Sequence, residues 1–553
     1  MRHLHLTITL FLLSLPVLGA DDAMFRGNPQ HSGVYDATGV SHFSKVKWKF
    51  RTDGAVISSP AVANGTVYVG SSDHNLYAVD LEAGTLKWKF KTEGRVTSSP
   101  AVSGELVYFE SYDGNFYAVD VANGQLKWKF QTAGERRFAG KHLHGASPVA
   151  ETMPDPFDFY LSSPVVWNGA VYFGSGDGNI YALDAPSGQL KWKFQTSDVV
   201  HASPAISGGT LFIGSWDSYF YALDAATGKE KWRFKTGEDA DIHNQVGIQS
   251  SAAVADSVVY FGCRDSNFYA VDANTGQQKW AFNNKGSWVI ASPAVQDGKV
   301  YFATSDSGMF YELDAKSGTA IFSLNFKGWP MFSSPAIAGQ TLYIGSHEGK
   351  LIAIDLAARR LAWTFQTDGS VQNGPTYTKP DGTPKYEAAF TDFFYDDMVS
   401  GVSKMMSVGA VLSSPIVVND VVYFGSTDGN LYALRIAAHS QPAAGLVVLK
   451  RHLSLEEKRL SRHAVFGVSR ASIFSSNPAP ASPASRVENS LPSSITGRLA
   501  HADWKACCAA GAAVMSGPTS RRSKRVTRIR ITASRRWLLV WTSYPARRST
   551  SRK

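Results

Sequence analysis

Apolar and polar positions alternate along most of the chain in a unit that recurs many times. In AVYFGSGDGNIYALDAPSGQLKWKF (170–194), three alternating stretches are separated by Asp-Gly-Asn and by Ser-Gly. Alternation with a period of two predicts β-strands, and both separators predict tight turns because Gly and Asn accept positive φ. The preceding SSPVVWNG (162–169) predicts one more strand. Each unit is therefore predicted to form four antiparallel strands.

The unit recurs with a period of roughly 40 residues, which indicates one closed array of blades. An eighth copy, at 423–435, stops short of its last strand, and KVKWKF at 45–50 supplies that strand from the other end of the chain. Completion of the last sheet in this way removes exposed sheet edges. We predict an all-β fold, an eight-bladed β-propeller of four-stranded antiparallel blades over residues 45–436, closed by the N-terminal strand and preceded by a lead-in at 21–44.

One position of the last strand is tryptophan in every copy except one, where Phe322 replaces it. A row of aromatic ligand cages would use such residues, but their repetition at a single position favours packing between neighbouring blades. The predicted docking tryptophans are Trp48, Trp88, Trp128, Trp192, Trp232, Trp280 and Trp363.

The N-terminus differs from the repeats. Residues 1–20 contain Arg2, an apolar run over 10–18 and a final Gly19-Ala20. This pattern predicts a secretory signal peptide, which is too short to span a membrane. Asp21 stands where a lipoprotein would carry its acylated cysteine. We expect a periplasmic or secreted protein with no lipid anchor and no transmembrane segment.

The net charge of +9 combines two opposite parts. Residues 437–553 contain 21 Lys and Arg against 4 Asp and Glu, a net charge of +17, which leaves −8 for residues 1–436. No nucleic acid is therefore expected to bind the propeller. The tail is rich in Arg, Ser, Ala and Pro, which predicts a disordered basic segment or a product of translation in a shifted reading frame. A basic arm for nucleic acid or anionic lipid is the alternative.

Function is expected where the copies differ, because loops on a rigid scaffold carry binding residues. Three insertions interrupt the repeat, at 133–160, 236–248 and 367–411. All follow an outer strand, so we predict that they lie on the face of the disk that carries the Asp-Gly-Asn hairpins. The second insertion contains Asp239, Asp241 and His243, and carboxylates with imidazoles can bind a divalent metal. Ordinary solvated loops have the same composition, so the metal is unknown.

Two positions of the repeat single out blades four and five. His201 and Gln249 are polar where other blades are mostly apolar, three residues before Pro204 and before Ala252, which replaces the landmark proline in blade five. Trp216 and Arg264 precede the hairpin Asp in the same two blades, and Glu110 replaces the usual Gly at the end of its strand. We predict a ligand-binding pocket over blades four and five, roofed by the 236–248 loop. Scattered surface variation is the alternative.

The pattern A-x-D-x-x-T/S-G-x-x-K-W resembles the tryptophan-docking motif of the pyrroloquinoline quinone (PQQ)-type β-propellers. The resemblance covers residues 25–436 and includes the opening MFRGNPQHSGVY. Two activities share the fold that this resemblance implies. One group is the quinoprotein dehydrogenases, and the other consists of non-enzymatic propellers similar to the scaffold subunit of the outer-membrane β-barrel assembly machinery.

A quinoprotein dehydrogenase implies PQQ, a calcium ion held by oxygen ligands, and a carboxylate base. Members of that class often carry an adjacent cysteine pair against the quinone, whereas the only such pair here, Cys507-Cys508, lies in the tail. Glu110, Asp239, Asp241 and Arg264 are the residues that could supply ligands and base, although their spacing matches no known motif.

We therefore favour an exported non-catalytic scaffold, which binds an envelope protein or a peptide on its loop-bearing face, needs no cofactor and is a monomer. No catalytic residue is assigned. A PQQ- and calcium-dependent dehydrogenase of alcohols or sugars is the alternative. A sugar-binding or hydrolytic propeller is less favoured, because no paired carboxylates are recognisable.

Overall fold

The computed structural model describes residues 23–39, 42–237 and 246–436, together with the backbone of 524–530 and 537–543. Two strands precede the repeats, β1 (Val34–Tyr35) and β2 (Phe43–Arg51). Blades one and two contain β3 (Ala61–Ala63), β4 (Thr66–Gly70), β5 (Asn75–Asp80), β6 (Leu86–Lys91), β7 (Ala101–Ser103), β8 (Leu106–Ser111), β9 (Asn115–Asp120) and β10 (Leu126–Gln131). The first insertion contains β11 (Ala139–Lys141), a 3-10 turn (Leu143–Gly145) and β12 (Thr152–Pro154).

The remaining blades follow the same plan. Blades three to five contain β13 (Val165–Trp167), β14 (Ala170–Gly174), β15 (Asn179–Asp184), β16 (Leu190–Gln195), β17 (Ala205–Ser207), β18 (Thr210–Gly214), β19 (Tyr219–Asp224), β20 (Glu230–Lys235), β21 (Ala253–Ala255), β22 (Val258–Gly262), β23 (Asn267–Asp272) and β24 (Gln278–Asn283). Blades six and seven contain β25 (Ala294–Gln296), β26 (Lys299–Ala303), β27 (Met309–Asp314), β28 (Ala320–Asn325), β29 (Ala336–Ala338), β30 (Thr341–Gly345), β31 (Lys350–Asp355) and β32 (Arg360–Gln366).

The third insertion contains two α-helices, α1 (Asp368–Tyr377) and α2 (Tyr395–Met406), with a 3-10 turn (Tyr386–Ala388) between them. Thr367 caps α1, because its side chain accepts a hydrogen bond from the Ser370 N–H. Helix α2 buries Met398, Val402 and Met405, which lie on one face because they are four and three residues apart. Only loops are predicted over 367–411, so the two helices are an addition to the all-β prediction.

The eighth blade contains β33 (Ile416–Val418), β34 (Val421–Gly425) and β35 (Asn430–Ile436) and is completed by β2. Strand β2 pairs antiparallel with β35 and places Trp48 opposite Ala433. Trp192 lies opposite Ala182 in the same way within blade three. The predicted eight-bladed propeller of four-stranded antiparallel blades, closed by an N-terminal strand, is confirmed.

A closed ring of hydrogen bonds joins the starts of the eight inner strands. In each blade the backbone N–H of one serine donates to the Oγ of the corresponding serine in the next blade, at 2.8–3.2 Å. The eight members are Ser59, Ser99, Ser163, Ser203, Ser251, Ser292, Ser334 and Ser414. The repeated Ser-Ser motif thus supplies both a small side chain and the acceptor that links neighbouring blades.

The tryptophans of the outer strands dock each blade against the next. Six indole N–H groups donate to a backbone carbonyl of the following blade at 2.9–3.1 Å. Gly228 lies beneath Trp192, and a Cβ at this glycine would stand 2.6 Å from the indole. Gly228 is therefore required both because the indole approaches so closely and because its φ is positive. Trp363 has no such hydrogen-bond acceptor among the described residues.

The lead-in crosses the central channel and pairs with inner strands. Backbone carbonyls over 23–33 accept N–H groups from five blades at 2.6–2.9 Å, and β1 pairs in parallel with β29. The Arg26 guanidinium donates to the carbonyls of Pro293 and Pro335 at 2.7 and 2.6 Å. Burial lowers the pKa of Arg26 to about 10. The lead-in therefore covers inner strand edges that would otherwise be unpaired.

The C-terminal tail forms a separate unit from residue 496 onward, in which only two strands are described, β36 (Lys524–Arg530) and β37 (Trp537–Ser543), paired antiparallel. Composition predicted no strands there. The predicted signal peptide at 1–20 and the rest of the predicted disordered segment lie outside the described residues. No described helix is both long and apolar enough to cross a membrane.

Candidate functional site

The first insertion lies over blades three to five and brings together four of the residues singled out in the sequence. His201, Trp216, Gln249 and Arg264 are all buried beneath it. The contacts come from both ends of the insertion, from Glu135 and Phe138 near its start and from residues 155–158 near its end. Gly247, at the end of the 236–248 segment, accepts a hydrogen bond from the Arg264 backbone N–H. Among the described residues, the 133–160 insertion therefore covers this cluster.

Arg264 is at the centre of the cluster and is 1% exposed. Its Nη1 donates to Asp155 Oδ2 at 2.6 Å and its Nη2 donates to Gln249 Oε1 at 2.8 Å. Its central carbon Cζ lies 4.2 Å from the centroid of the Trp216 ring and 4.5 Å from the centroid of the Trp288 ring. Cation–π contacts with both indoles and the charge-assisted hydrogen bonds together fix its position.

Asp155 joins the insertion to this guanidinium. Its Oδ1 accepts the Phe157 N–H at 2.8 Å and lies 3.1 Å from His144 Nε2. Burial by itself would raise the pKa of Asp155, but the charge of Arg264 and the hydrogen bonds from His144 and Phe157 outweigh burial and hold the pKa below its usual range. Asp155 is therefore a fully bonded carboxylate at neutral pH.

His201 forms a second buried ion pair with the insertion. Its Nδ1 lies 2.7 Å from Asp158 Oδ1, and its Nε2 lies 3.5 Å from Glu135 Oε2. Burial would lower the pKa of His201, but Asp158 and Glu135 together raise it to about 10. The other oxygen of Asp158 accepts the Phe138 N–H at 2.7 Å. His201 is thus an imidazolium that pins the insertion to blade four.

Glu110 lies apart from these pairs. It occupies the position at the end of the second strand where most blades have Gly, and within the described part of the chain neither carboxyl oxygen has a hydrogen-bond partner. Burial, reinforced by the charges of Glu135 and Asp177, raises the pKa of Glu110 well above its usual value. A raised pKa favours the protonated form of this buried carboxyl.

A cavity of about 40 Å³, measured as the space open to the centres of water molecules, lies in the channel. The serine ring surrounds it, Phe25 lies at one end, and Tyr160 spans the other by donating to the Leu412 carbonyl at 3.1 Å. Thr97 and His201 are among its polar lining residues. The cavity therefore has room for a few water molecules.

The described carboxylates of the cluster are engaged with protein donors. No group of three or more His, Cys, Asp and Glu side chains that could hold a metal ion is found within 23–237 and 246–436. The oxygens of Glu135, Asp155 and Asp158 already accept protein donors. The ligand-binding role of the predicted site residues stays a prediction. The described residues do not include Asp239, Asp241 and His243, nor Cys507-Cys508.

Sequence reasoning singled out His144 as a candidate metal ligand but missed the other partners of the cluster, which are Glu135, Asp155, Asp158 and Trp288. Three of these four lie in the first insertion, where a concentration of carboxylates was the available signal. Because an insertion has no repeat to align with, its pairing with blades four and five could not be predicted.

The first and third insertions meet above the channel. The Ser147 N–H donates to the Phe393 carbonyl at 2.8 Å, and the Tyr395 N–H donates to the Ser147 carbonyl at 3.1 Å. Ala146 and Met153 pack against Met398 of α2 beneath this junction. Segments that are separated by more than 200 residues thus form one continuous surface on the loop-bearing face.

Four-stranded blades, interblade tryptophan docking and ring closure by the N-terminal strand define the PQQ-like eight-bladed β-propeller class. The family model described as "Outer membrane protein assembly factor BamB" matches residues 34–153, 157–287 and 264–380. These matches cover more than half of the chain, and the chain belongs to this family. No curated protein sequence matches it significantly.

Solved structures with the same fold include a BamB protein and dehydrogenases. BamB from Moraxella catarrhalis is 16% identical, with a TM-score of 0.51, and the alignment covers 72% of this chain and 99% of that one. A europium-containing methanol dehydrogenase is 15% identical, with a TM-score of 0.55 and coverage of 76% and 98%. The quinohemoprotein alcohol dehydrogenase from Comamonas testosteroni is 15% identical, with a TM-score of 0.55 and coverage of 76% and 81%. Likeness at such identity shows the fold alone.

Proposed function

We propose that this protein is an exported, non-catalytic β-propeller that acts as a protein-binding scaffold in the cell envelope. The observation that carries the proposal is the use made of the buried charges beneath the loop-bearing face. Arg264 pairs with Asp155 and His201 pairs with Asp158, so each ion pair ties the first insertion to a blade. Groups paired in this way are withdrawn from substrate chemistry and stabilise a fixed surface above them. The family, named for outer membrane protein assembly, supports the same proposal.

A PQQ- and calcium-dependent dehydrogenase of alcohols or sugars is the second candidate. Its support is the likeness of fold to the two dehydrogenase structures. Among the predicted ligands, burial raises the pKa of the described Glu110, and the described Arg264 is occupied by Asp155 and Gln249. This candidate therefore depends on Asp239 and Asp241, and it ranks second.

Site-specific photo-crosslinking in intact cells tests the scaffold proposal. A photoreactive residue at Gln372, which is exposed at the start of α1, samples the loop-bearing face, and one at Ala122, which is exposed in the turn after β9, samples the opposite face. We expect a crosslink to a defined envelope protein from Gln372 and none from Ala122. Equal crosslinking from both positions, or none from positions across the loop-bearing face, would contradict the proposal.

A further inference from the structure

The junction of the two insertions exposes a group of large apolar side chains. Val149 and Phe393 are each 40% exposed and Phe394 is 55% exposed. We call these three residues the junction patch. Elsewhere in the described propeller most aromatic side chains pack into the core or between blades, so two adjacent exposed phenylalanines are a departure. Exposed apolar patches of this kind mark interaction sites.

The backbone that carries the patch is held firmly. Hydrogen bonds between Ser147 and the 393–395 segment fix the two insertions relative to each other. The Tyr395 hydroxyl donates to the Pro154 carbonyl at 2.7 Å and adds a third link. Because the strand and helix beneath are packed through Met153 and Met398, the phenylalanines are presented without a folding step. Preorganised aromatic side chains lose little conformational freedom on binding, which makes them effective anchors.

The edge of the patch is acidic. Glu151, Asp392 and Asp396 are exposed beside its three members, and Asp397, half-buried, accepts a hydrogen bond from Thr391. Two cations, Arg137 and Lys141, are nearby on the first insertion, so the carboxylates are in excess. We infer that the junction patch binds a segment of an envelope protein in which apolar side chains are flanked by Lys or Arg. This inference rests on the scaffold function proposed above.

The acidic edge distinguishes this partner from two other occupants. An anionic lipid surface would be repelled by Glu151, Asp392 and Asp396. A second copy of the chain meeting the same patch across a two-fold axis would bring these carboxylates against one another. Charge complementarity therefore favours a cationic partner segment.

A pair of synthetic peptides provides the probe. Both have the same Leu and Phe positions, and one carries Lys where the other carries Glu. Binding of each fluorescent peptide to the full chain is followed by anisotropy at low and moderate salt. We expect the Lys peptide to bind the wild type saturably, with affinity that falls tenfold or more in the F393S/F394S double variant and falls with added salt. The matched control is Val371→Ser on α1, which removes an exposed apolar side chain away from the patch and leaves affinity unchanged.

Several outcomes would overturn the inference. If the Lys peptide binds F393S/F394S as tightly as it binds the wild type, the junction patch is not its binding site. The same conclusion follows if Val371→Ser weakens peptide binding as much as F393S/F394S does. A dimer in sedimentation velocity that F393S/F394S abolishes would assign the patch to a second copy. If Gln372 still crosslinks an envelope protein in the F393S/F394S background, the scaffold function stands and this inference fails. If no position on the loop-bearing face crosslinks, the scaffold function itself fails, whatever the peptides do.

Discussion

Arg264 and Asp155 are separated by 109 residues in the chain and form a buried ion pair with Nη1 and Oδ2 at 2.6 Å. Both side chains are almost completely inaccessible to solvent. The pair connects a hairpin of blade five to an insertion that begins after blade two. Arg264, which differs from its counterparts in the other blades, therefore helps to hold the loop-bearing face together.

Loss of Arg264 is expected to destabilise the protein strongly. The Arg264→Ala variant leaves Asp155 and Gln249 buried without their donor and removes the stacking against two indoles. Removal of one partner of a buried ion pair typically costs about 3–5 kcal/mol. Chemical denaturation measures this cost, with Arg233→Ala as the control, because Arg233 is exposed on an outer strand. Equal unfolding free energies for the two variants would contradict the role assigned to Arg264.

His201 makes the free energy of unfolding depend on pH in the alkaline range. Its pKa in the folded protein is about 10, above the value of about 6.5 for an unfolded chain. The contribution of the imidazolium is therefore complete below about pH 6.5 and declines as the pH rises through about 10, by about 1.4 kcal/mol per pH unit in that interval. Comparison of the wild type with His201→Gln between pH 6 and 10 isolates this slope. Parallel curves for the two proteins would show that His201 is not charged in the fold.

Glu110 is expected to destabilise the folded protein as the pH rises. Because burial raises its pKa, the folded state holds the proton more tightly than the unfolded chain, and the fold loses stability as the pH rises above about 4.5. We expect Glu110→Gln to raise the midpoint of thermal unfolding at pH 8 and to lose this advantage toward pH 4. Glu105→Gln, in an exposed turn, should change neither value. A lower midpoint for Glu110→Gln at pH 8 would mean that the carboxylate is ionised and bonded.

The docking tryptophans differ in one testable respect. Trp192 donates to the Ala225 carbonyl at 2.9 Å, whereas Trp363 has no acceptor among the described residues. Substitution by Phe keeps most of the packing and removes the N–H, so Trp192→Phe should cost about 1 kcal/mol more than Trp363→Phe. Chemical denaturation of the two variants measures the difference. The same loss in both would show that the hydrogen bond contributes nothing.

The architecture could be predicted because each blade repeats the same alternation, turn residues and tryptophan. The missing strand of the eighth copy predicted ring closure by β2, which is what the structure shows. The path of the lead-in could not be predicted in this way, since residues 23–33 carry no periodic pattern and bind through backbone carbonyls. The two helices were also missed, although the spacing of Met398, Val402 and Met405 in α2 was a usable signal.

Only those residues of the candidate site that belong to the repeat could be predicted. His201, Gln249 and Arg264 differ from their counterparts in other blades, and the structure brings them under one insertion. Their partners Asp155 and Asp158 have no counterparts, so alignment of the repeats cannot place them. The sequence therefore indicated an unusual place in the ring but not whether its polar groups face a ligand or each other.

Titration of the full chain with PQQ and calcium tests the central claim, that this propeller is not catalytic, most directly. The absorbance of the quinone reports binding, and dye reduction with simple alcohols and aldose sugars reports turnover. The account predicts no saturable change in absorbance and no substrate-dependent dye reduction. Saturable binding of the quinone that requires calcium, followed by dye reduction on addition of an alcohol or a sugar, would contradict it and would make Asp239 and Asp241 the first residues to replace.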